Sequence, residues 1–251
     1  MDVTTNQPDG TPAWIDLGIP DIERAMAFYR AVFGWEYLTG TEETGYYTMC
    51  LVRGRPVAAL SQPPEVGPEH WWTVYFATAD CDGHAKRAAD AGGTVVMPPM
   101  DVMTAGRMAL VQDPVGAQFG LWQGRDHLGA GVVNEPNTLL RNDLITPSPK
   151  PARDFYTALF DFTLDADPKT PETDFTFLRR PDGHEIGGII GDAGARRSKW
   201  TTLFLVNDAD TAVRAATEAG GTCLNQETTV YGRMAVLLDP FGAEFSVGSA
   251  A

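Results

Sequence analysis

The regular pattern of the chain begins with a short stretch in which apolar and polar side chains alternate. Residues 14–19 (WIDLGI) have this period of two, which is typical of a half-buried strand. Residues 22–33 then carry apolar side chains at helical spacing, with Asp21 as a candidate N-cap and Gly34 as a stop signal. Three short apolar stretches follow, separated by glycines and prolines. The pattern predicts a β-α-β-β-β unit.

The same succession of patterns returns three more times along the chain. Residues 72–122, 139–190 and 200–247 each have the pattern of a strand, a helix and three strands. The recurrence is also visible residue by residue, because GRMALVQDPVGAQF at 106–119 returns as GRMAVLLDPFGAEF at 232–245. A repeat of this kind determines the fold class more than any single element does. We therefore predict an α+β fold made of four βαβββ modules.

The modules are expected to pair into two domains. Residues 125–136 are rich in Gly, Pro and Asn and are predicted to be a linker. The domains then cover residues 12–124 and 137–251, and the polar residues 1–11 are expected to form a disordered lead-in. One module cannot cover both faces of its curved sheet, so two paired modules should close into a cup. The inner face of such a cup is suited to binding a small molecule.

Charge and cysteine content narrow the possible partners. A net charge of −14 argues against nucleic acid or an anionic membrane, since both attract clustered Lys and Arg. Cys50, Cys81 and Cys223 have no C-x-x-C spacing, so we expect neither a disulfide framework nor a cysteine zinc site. The polar N-terminus is unlike a signal peptide, and no apolar stretch is long enough to span a membrane. We expect a cytoplasmic monomer or homodimer that binds a small molecule.

Two groups of motifs carry a family resemblance over residues 12–248. After the first strand come IPD at 19–21, FY at 28–29 and VFG at 32–34, and DPxG occurs near the end of each half of the chain. In these motifs the sequence resembles the vicinal oxygen chelate superfamily, which includes glyoxalase I, extradiol dioxygenases, and fosfomycin and bleomycin resistance proteins. Its four-module layout is most similar to two-domain actinobacterial glyoxalase-like proteins of the mycobacterial 27–30 kDa antigen type.

The resemblance implies a divalent metal in the cup, held by His, Glu or Gln on the first and last strands of paired modules. None of the residues at the corresponding positions is a usual metal ligand. We therefore predict no metal and no other cofactor, which disfavours the metal-dependent chemistry of glyoxalase I and the dioxygenases. An altered site made of Asp16, Asp143, Gln118 and Glu244 remains the alternative. The six positions that correspond to the superfamily's ligand positions are occupied here by Trp14, Thr73, Gly120, Arg141, Thr201 and Ser246.

Asp16 and Asp143 are the candidate catalytic residues. The repeat relates them, and each is predicted to lie on a cup face, where a carboxylate can act as a general acid or base. The alternative is that each carboxylate only accepts hydrogen bonds that hold its strand.

Candidate ligand-binding residues come from the same strands. Arg107 and Arg233, in the repeated GRMA, could hold an anion at the cup mouth or could form ordinary surface ion pairs. Trp14 and Trp122 could stack on a planar ligand or could be core residues. The predicted set consists of Trp14, Thr73, Tyr75, Arg107, Gln118, Trp122, Arg141, Thr201, Arg233 and Glu244.

Three functions follow from these patterns. The first is a metal-independent, glyoxalase-like lyase or isomerase that acts on a small, partly aromatic or oxygen-rich metabolite, with Asp16 or Asp143 as the acid or base. The second is sequestration of a toxic or antibiotic ligand without catalysis. The third is a structural or interaction protein whose cups have degenerated. The sequence does not identify the ligand.

Overall fold

The computed structural model describes residues 1–65 and 67–250, and its elements follow the predicted order of four βαβββ modules. The first two modules comprise β1 (Pro12–Gly18), α1 (Ile22–Phe33), β2 (Glu36–Thr39), β3 (Thr48–Val52), β4 (Arg55–Ser61), β5 (Trp72–Ala77), α2 (Cys81–Asp90), β6 (Thr94–Val102), β7 (Gly106–Gln112) and β8 (Gln118–Gly124). The other two comprise β9 (Thr138–Thr146), α3 (Pro149–Phe160), β10 (Thr163–Ala166), β11 (Phe175–Arg179), β12 (Glu185–Gly191), β13 (Lys199–Leu205), α4 (Ala209–Glu218), β14 (Thr222–Thr229), β15 (Gly232–Leu238) and β16 (Glu244–Ser249).

Each pair of modules forms one eight-stranded mixed sheet, which confirms the predicted fold class. The first sheet has the order β2-β3-β4-β1-β5-β8-β7-β6, and the second has the equivalent order β10-β11-β12-β9-β13-β16-β15-β14. The first strands of the paired modules are neighbours at the centre of each sheet. Asp16 on β1 therefore lies between Ala59 and Thr73, and Asp143 on β9 lies between Gly188 and Thr201.

The helices connect the two halves of the molecule rather than packing only on their own sheets. Helix α1 of the first half packs against α4 of the second. The hydroxyl of Tyr29 on α1 donates to Asp239 Oδ2 at 3.0 Å and accepts from Trp72 Nε1 at 3.2 Å. These groups are buried, and burial raises the pKa of Asp239.

The repeat generates the same contact in the opposite direction. The hydroxyl of Tyr156 on α3 donates to Asp113 Oδ2 at 2.9 Å and accepts from Trp200 Nε1 at 2.8 Å. The tyrosine of each Phe-Tyr pair thus binds the aspartate of the DPxG motif in the other domain. The two motifs that carry the family resemblance join the domains into one core, which local sequence patterns did not predict.

Residues 1–11, which we expected to be a disordered lead-in, make specific backbone contacts instead. Val3 N–H donates to Gly131 O at 3.0 Å, and Gly10 N–H donates to Ala77 O at 2.9 Å. Gly10 has a φ of +78°, and a Cβ at this position would lie 2.6 Å from the Phe162 ring. The segment therefore packs against the linker and β5 through backbone groups that its polar composition does not reveal. Within the described residues, no helix is long and apolar enough to cross a membrane.

Candidate functional site

The two cups have different interiors, although their strands match. Side chains alternate between the two faces of a strand. One face of each sheet therefore packs towards the helices, and the other forms the inside of the cup. In the first cup this face carries Trp14, Ala59, Tyr75 and Trp122, which with Ala130 form a buried cluster in which no member is more than 7% exposed. Large aromatic side chains therefore fill the first cup.

Tyr75 occupies the space next to Gly120, the last-strand position at which the family resemblance implies a metal ligand. A Cβ added to Gly120 would lie 1.9 Å from Tyr75 Cδ1. Only a residue without a side chain fits beneath this ring. The linker closes the cup further, since the ring of His127 lies edge-on to Trp14 at a centroid distance of 4.4 Å, and burial lowers the pKa of His127 to about 4.

Asp16 is enclosed in a hydrogen-bond network inside the filled cup. Tyr47 and Tyr75 both donate to Asp16 Oδ2, at 3.0 and 3.1 Å, and Trp14 Nε1 donates to the Tyr47 hydroxyl at 2.8 Å. Burial raises the pKa of Asp16 to about 6, although the two tyrosine hydrogen bonds oppose the shift. This geometry favours the structural alternative for Asp16, because the carboxylate is satisfied by neighbouring side chains and covered by rings.

The second cup contains an open cavity of about 990 Å³. Its openness follows from substitutions at equivalent positions of the two sheets. Arg141 pairs with Leu203 where Trp14 pairs with Tyr75, and Gly248 lies opposite Met234 where Trp122 lies opposite Met108. Two rings of the first cup are thus replaced by a leucine and a glycine. The apolar part of the cavity wall includes Phe175, Phe177, Ile190, Leu203, Leu205 and Met234.

Arg141 is the cation of this cavity, and its orientation is well defined. Its Nε and Nη2 bind Asp143 at 2.9 and 2.8 Å, and its Nη1 donates to Glu185 Oε1 at 2.8 Å. The guanidinium also lies 5.7 Å from the ring centroids of both Phe175 and Phe177. A guanidinium has five N–H groups, so one on each Nη remains for a ligand.

Asp143 differs from Asp16 in its environment. Burial raises its pKa, whereas the charge and hydrogen bonds of Arg141 oppose that shift. Both of its oxygens contact Arg141, and the side chain is 17% exposed and lines the cavity. The ion pair therefore presents a cation and a carboxylate side by side to anything in the cavity.

The positions at which the family resemblance implies metal ligands do not fit a divalent cation in either cup. In the first cup, the Tyr75 ring covers the last-strand position. In the second cup, the guanidinium of Arg141 is at the first-strand position, and its charge would repel a metal ion. Among the residues that the structure describes, no group of three or more His, Cys, Asp or Glu side chains is arranged to hold a metal.

Several predicted ligand residues lie away from the cavity. Arg107 Nε binds Asp82 at 2.7 Å and Arg233 Nε binds Asp210 at 2.7 Å, so both arginines are on the helix side of their sheets. Of the two alternatives for these arginines, an anion site at the cup mouth or an ordinary ion pair, the geometry matches the ion pair, because alternation along GRMA gives the inward position to the neighbouring methionine.

The remaining predicted residues also have partners of their own. Glu244, at the start of β16, forms an ion pair with Lys199 at 2.6 Å. Gln118 pairs with Gln112 at the start of β8. Thr201 donates to the backbone oxygen of Asp143, and Thr73 is the β5 neighbour of Asp16. Arg141 and Asp143 are the predicted residues that come together at the cavity.

Sequence reasoning missed a contact that links the two edges of the second sheet. Tyr231, in the turn between β14 and β15, donates to Asp167 Oδ2 at 2.5 Å across the cup. The charge of Lys169 lies 4.6 Å from the centroid of the Tyr231 ring. Partial burial and the Asp167 carboxylate raise the pKa of Tyr231 to about 12. No local signal marks this contact, because its partners are 64 residues apart.

Two cups, each made from two βαβββ modules, define a duplicated glyoxalase-type architecture. The family model described as "Glyoxalase/Bleomycin resistance protein/Dioxygenase superfamily" matches residues 11–121 and 133–247. The chain belongs to this superfamily, as its motifs suggested.

Curated relatives match along nearly the whole chain. "Putative glyoxylase CFP32" of Mycobacterium tuberculosis is 37% identical over 246 residues, covering 95% of this chain and 94% of that protein. "Anthracycline biosynthesis protein DnrV" of Streptomyces peucetius is 39% identical over 260 residues, covering 95% and 92%. The predicted similarity to actinobacterial glyoxalase-like proteins is confirmed.

Solved structures share the fold at low sequence identity. The Mn(II)-bound glyoxalase from Novosphingobium aromaticivorans has a TM-score of 0.68 at 16% identity, covering 96% of this chain and 82% of that one. The 2,3-dioxygenase LapB from Pseudomonas sp. KL28 has a TM-score of 0.65 at 14% identity, covering 98% and 93%. At these identities the likeness concerns the fold alone. The chain is a glyoxalase-like, small-molecule-binding protein of this superfamily.

Proposed function

We propose that the second cup is the functional site and that it binds a partly aromatic, oxygen-bearing small molecule. One observation carries the proposal: a cavity of about 990 Å³ opens beside Arg141 and Asp143, whereas aromatic rings fill the equivalent space of the first cup. The cavity has the size and the mixture of apolar walls and few polar groups that are usual for small-molecule sites. The Phe175 and Phe177 rings, 4.8 Å apart and nearly perpendicular, suit a planar ligand.

We propose further that the site is a metal-independent lyase or isomerase. Asp143 accepts a proton from a carbon next to a carbonyl group, and the two remaining N–H groups of Arg141 stabilise the enolate oxygen that forms. In an isomerisation, Asp143 returns the same proton to another carbon. In an elimination, the electrons of the enolate form a carbon–carbon double bond and a leaving group departs from the adjacent carbon with its electron pair, while the proton stays on Asp143.

The names of the relatives support the ligand class. One relative is named as a protein of anthracycline biosynthesis and another as a glyoxylase. A polycyclic, oxygen-rich aromatic compound would suit both the apolar walls and the Arg141 donors. It would also agree with the size of the cavity.

A thermal-shift screen of a metabolite extract tests the binding proposal. We expect a stabilising compound for the wild type and a loss of at least about tenfold in its affinity in Arg141→Met, since charge-assisted hydrogen bonds contribute about 1.5–3 kcal/mol each. Arg107→Met is the matched control, because Arg107 is on the helix side of its sheet. This variant should bind the compound with the affinity of the wild type. Equal binding by Arg141→Met and wild type would contradict the role of the second cup.

Sequestration without turnover is the second candidate, and a specific contact favours it. Both oxygens of Asp143 accept hydrogen bonds from Arg141, which hold the carboxylate against the guanidinium and oppose the rise in its pKa that burial causes. Incubating the identified ligand with the protein and following it by mass spectrometry and NMR separates the two candidates. A changed product, absent with Asp143→Asn, supports the enzyme, whereas an unchanged bound ligand supports sequestration.

Three further proposals concern the state of the protein. We propose that it uses no metal, that it is cytoplasmic, and that it is a monomer or homodimer. Elemental analysis of purified protein should find less than one equivalent of zinc, nickel, manganese or iron. A full equivalent that is lost together with ligand binding on chelation would contradict metal independence. Light scattering coupled to size exclusion measures the oligomeric state.

A further inference from the structure

The charge of the cavity wall is negative, although an arginine with several hydrogen bonds lies in it. Arg141 is the one basic Lys or Arg side chain among the described residues that line the cavity, and it faces four carboxylates. Two of these, Asp143 and Glu185, bind Arg141 directly. The charge of the arginine is therefore more than balanced by its own partners, and a ligand does not meet a net positive site there.

The other two carboxylates belong to elements at the two edges of the sheet. Asp167 is in the loop between β10 and β11 and accepts from Tyr231. Glu227 is on β14, opposite Met234, and is solvent-exposed. No ion pair of Glu227 occurs within the described part of the chain. The equivalent residue in the first cup is Met100, opposite Met108, so the carboxylate is particular to the open cup.

Nearby cations already have partners. Arg179 binds Asp165 at 2.5 Å and Glu185 at 3.5 Å. Lys169 lies over the Tyr231 ring at 4.6 Å, beside Asp167. Among the described residues of the cavity wall, the carboxylate with neither an ion pair nor a side-chain hydrogen bond is thus that of Glu227, since Asp167 accepts from Tyr231.

Aromatic faces complement this charge. The rings of Phe175 and Phe177 line one side of the cavity, and the Tyr231 ring lies at its edge. Aromatic faces attract cations, and they also stack against planar ligands. An anion could reach the two remaining N–H groups of Arg141, but Asp143 and Glu185 are bound to the same guanidinium and would repel it, as would the ring faces.

We infer that the second cup selects a planar apolar ligand that carries a positively charged amine, with the amine directed to Glu227, and that it disfavours anionic ligands. This inference rests on the proposed binding function of the second cup. It names the charge class of the ligand, which neither the fold nor the relatives' names specify.

Three fluorescent probes of similar size test the preference of the second cup for a positively charged ligand. They are 9-(aminomethyl)anthracene, which is protonated at pH 7.5, the neutral 9-(hydroxymethyl)anthracene, and the anion of anthracene-9-carboxylic acid. Titrations at low salt should give the amine an affinity about three- to tenfold above that of the alcohol, with the carboxylate weakest. Salt at about 0.5 M should reduce the amine's advantage, because ions screen exposed charges.

Glu227→Gln is the decisive variant, and Glu218→Gln is its control. Glu218 is exposed on α4, on the other side of the sheet, and its replacement should change nothing. Glu227→Gln should reduce the amine's advantage over the alcohol by about two- to fivefold, which is the range of a partly exposed ion pair. The affinity of the alcohol should stay the same.

The possible results separate the inference from the proposed function. If the alcohol binds and Gly248→Trp removes that binding, but the three probes bind equally or Glu227→Gln has no effect, the charge inference is wrong and the binding function stands. If no probe binds in a manner sensitive to Gly248→Trp, both are overturned.

Discussion

Gly248→Trp restores in the second cup the residue that fills the first. Gly248 lies opposite Met234 as Trp122 lies opposite Met108. A Cβ at residue 248 would lie 3.4 Å from Leu203 Cδ1 and 3.9 Å from Met234 Cγ, which are ordinary contacts. The backbone at residue 248, which lines the cavity, therefore accepts a Cβ without strain.

The size of the effect follows from the burial of the ring. A tryptophan buries about 150–250 Å², which at about 25 cal/mol per Å² sets an upper limit of roughly 4–6 kcal/mol. Incomplete burial and lost side-chain freedom reduce this gain, and filling a cavity usually contributes about 0.5–2 kcal/mol. The Tm should then rise by roughly 2–4 °C per kcal/mol for a chain of this size. Ligand affinity should fall at least about tenfold, because the indole occupies the ligand's space.

Thermal unfolding by calorimetry and titration with 9-(hydroxymethyl)anthracene measure the two effects on one preparation. Gly248→Ala is the matched control, since it adds only the Cβ and should leave affinity within about twofold. Undiminished affinity in a folded Gly248→Trp variant would refute the assignment of the second cup. A lower Tm would refute the packing argument.

Two further predictions concern buried polar groups. Burial raises the pKa of Asp16 from 3.8 to about 6. As the pH rises from about 4 to 7, the free energy of unfolding of the wild type should therefore fall by up to about 3 kcal/mol relative to that of Asp16→Asn. Urea unfolding at both pH values measures this difference, and an equal change in the two proteins would contradict the prediction. Tyr156→Phe leaves the Asp113 carboxylate and the Trp200 indole N–H without their shared partner, which should cost about 1–3 kcal/mol in urea unfolding. The exposed Tyr46→Phe is its control, and an equal effect of both variants would exclude a special role for the domain contact.

The repeat allowed the sequence to predict the fold, because each module repeats the same strand and helix periods. The site was less predictable for a physical reason. The difference between the cups depends on Leu203 and Gly248, two ordinary residues that acquire meaning only when the strand register aligns them with Tyr75 and Trp122. The sequence showed that Arg141 stands where the first half of the chain has Trp14. It did not show that an open space lies beside Arg141.

Other features depended on contacts between distant parts of the chain. Tyr29 and Asp239 are 210 residues apart, so no local pattern could show that the two family motifs bind each other. In contrast, the placement of Arg107 could have been predicted. Met108 is an inward-facing residue of its strand, and alternation then directs Arg107 to the helices.

A crystal structure with the compound recovered by the thermal-shift screen tests the central claim most directly. We predict that the ligand lies in the second cup, with an oxygen within about 3.2 Å of an Arg141 Nη atom and its planar part beside Phe175 and Phe177. A ligand in the first cup, or a metal ion held by Asp143 and Glu185 after displacement of Arg141, would contradict this assignment.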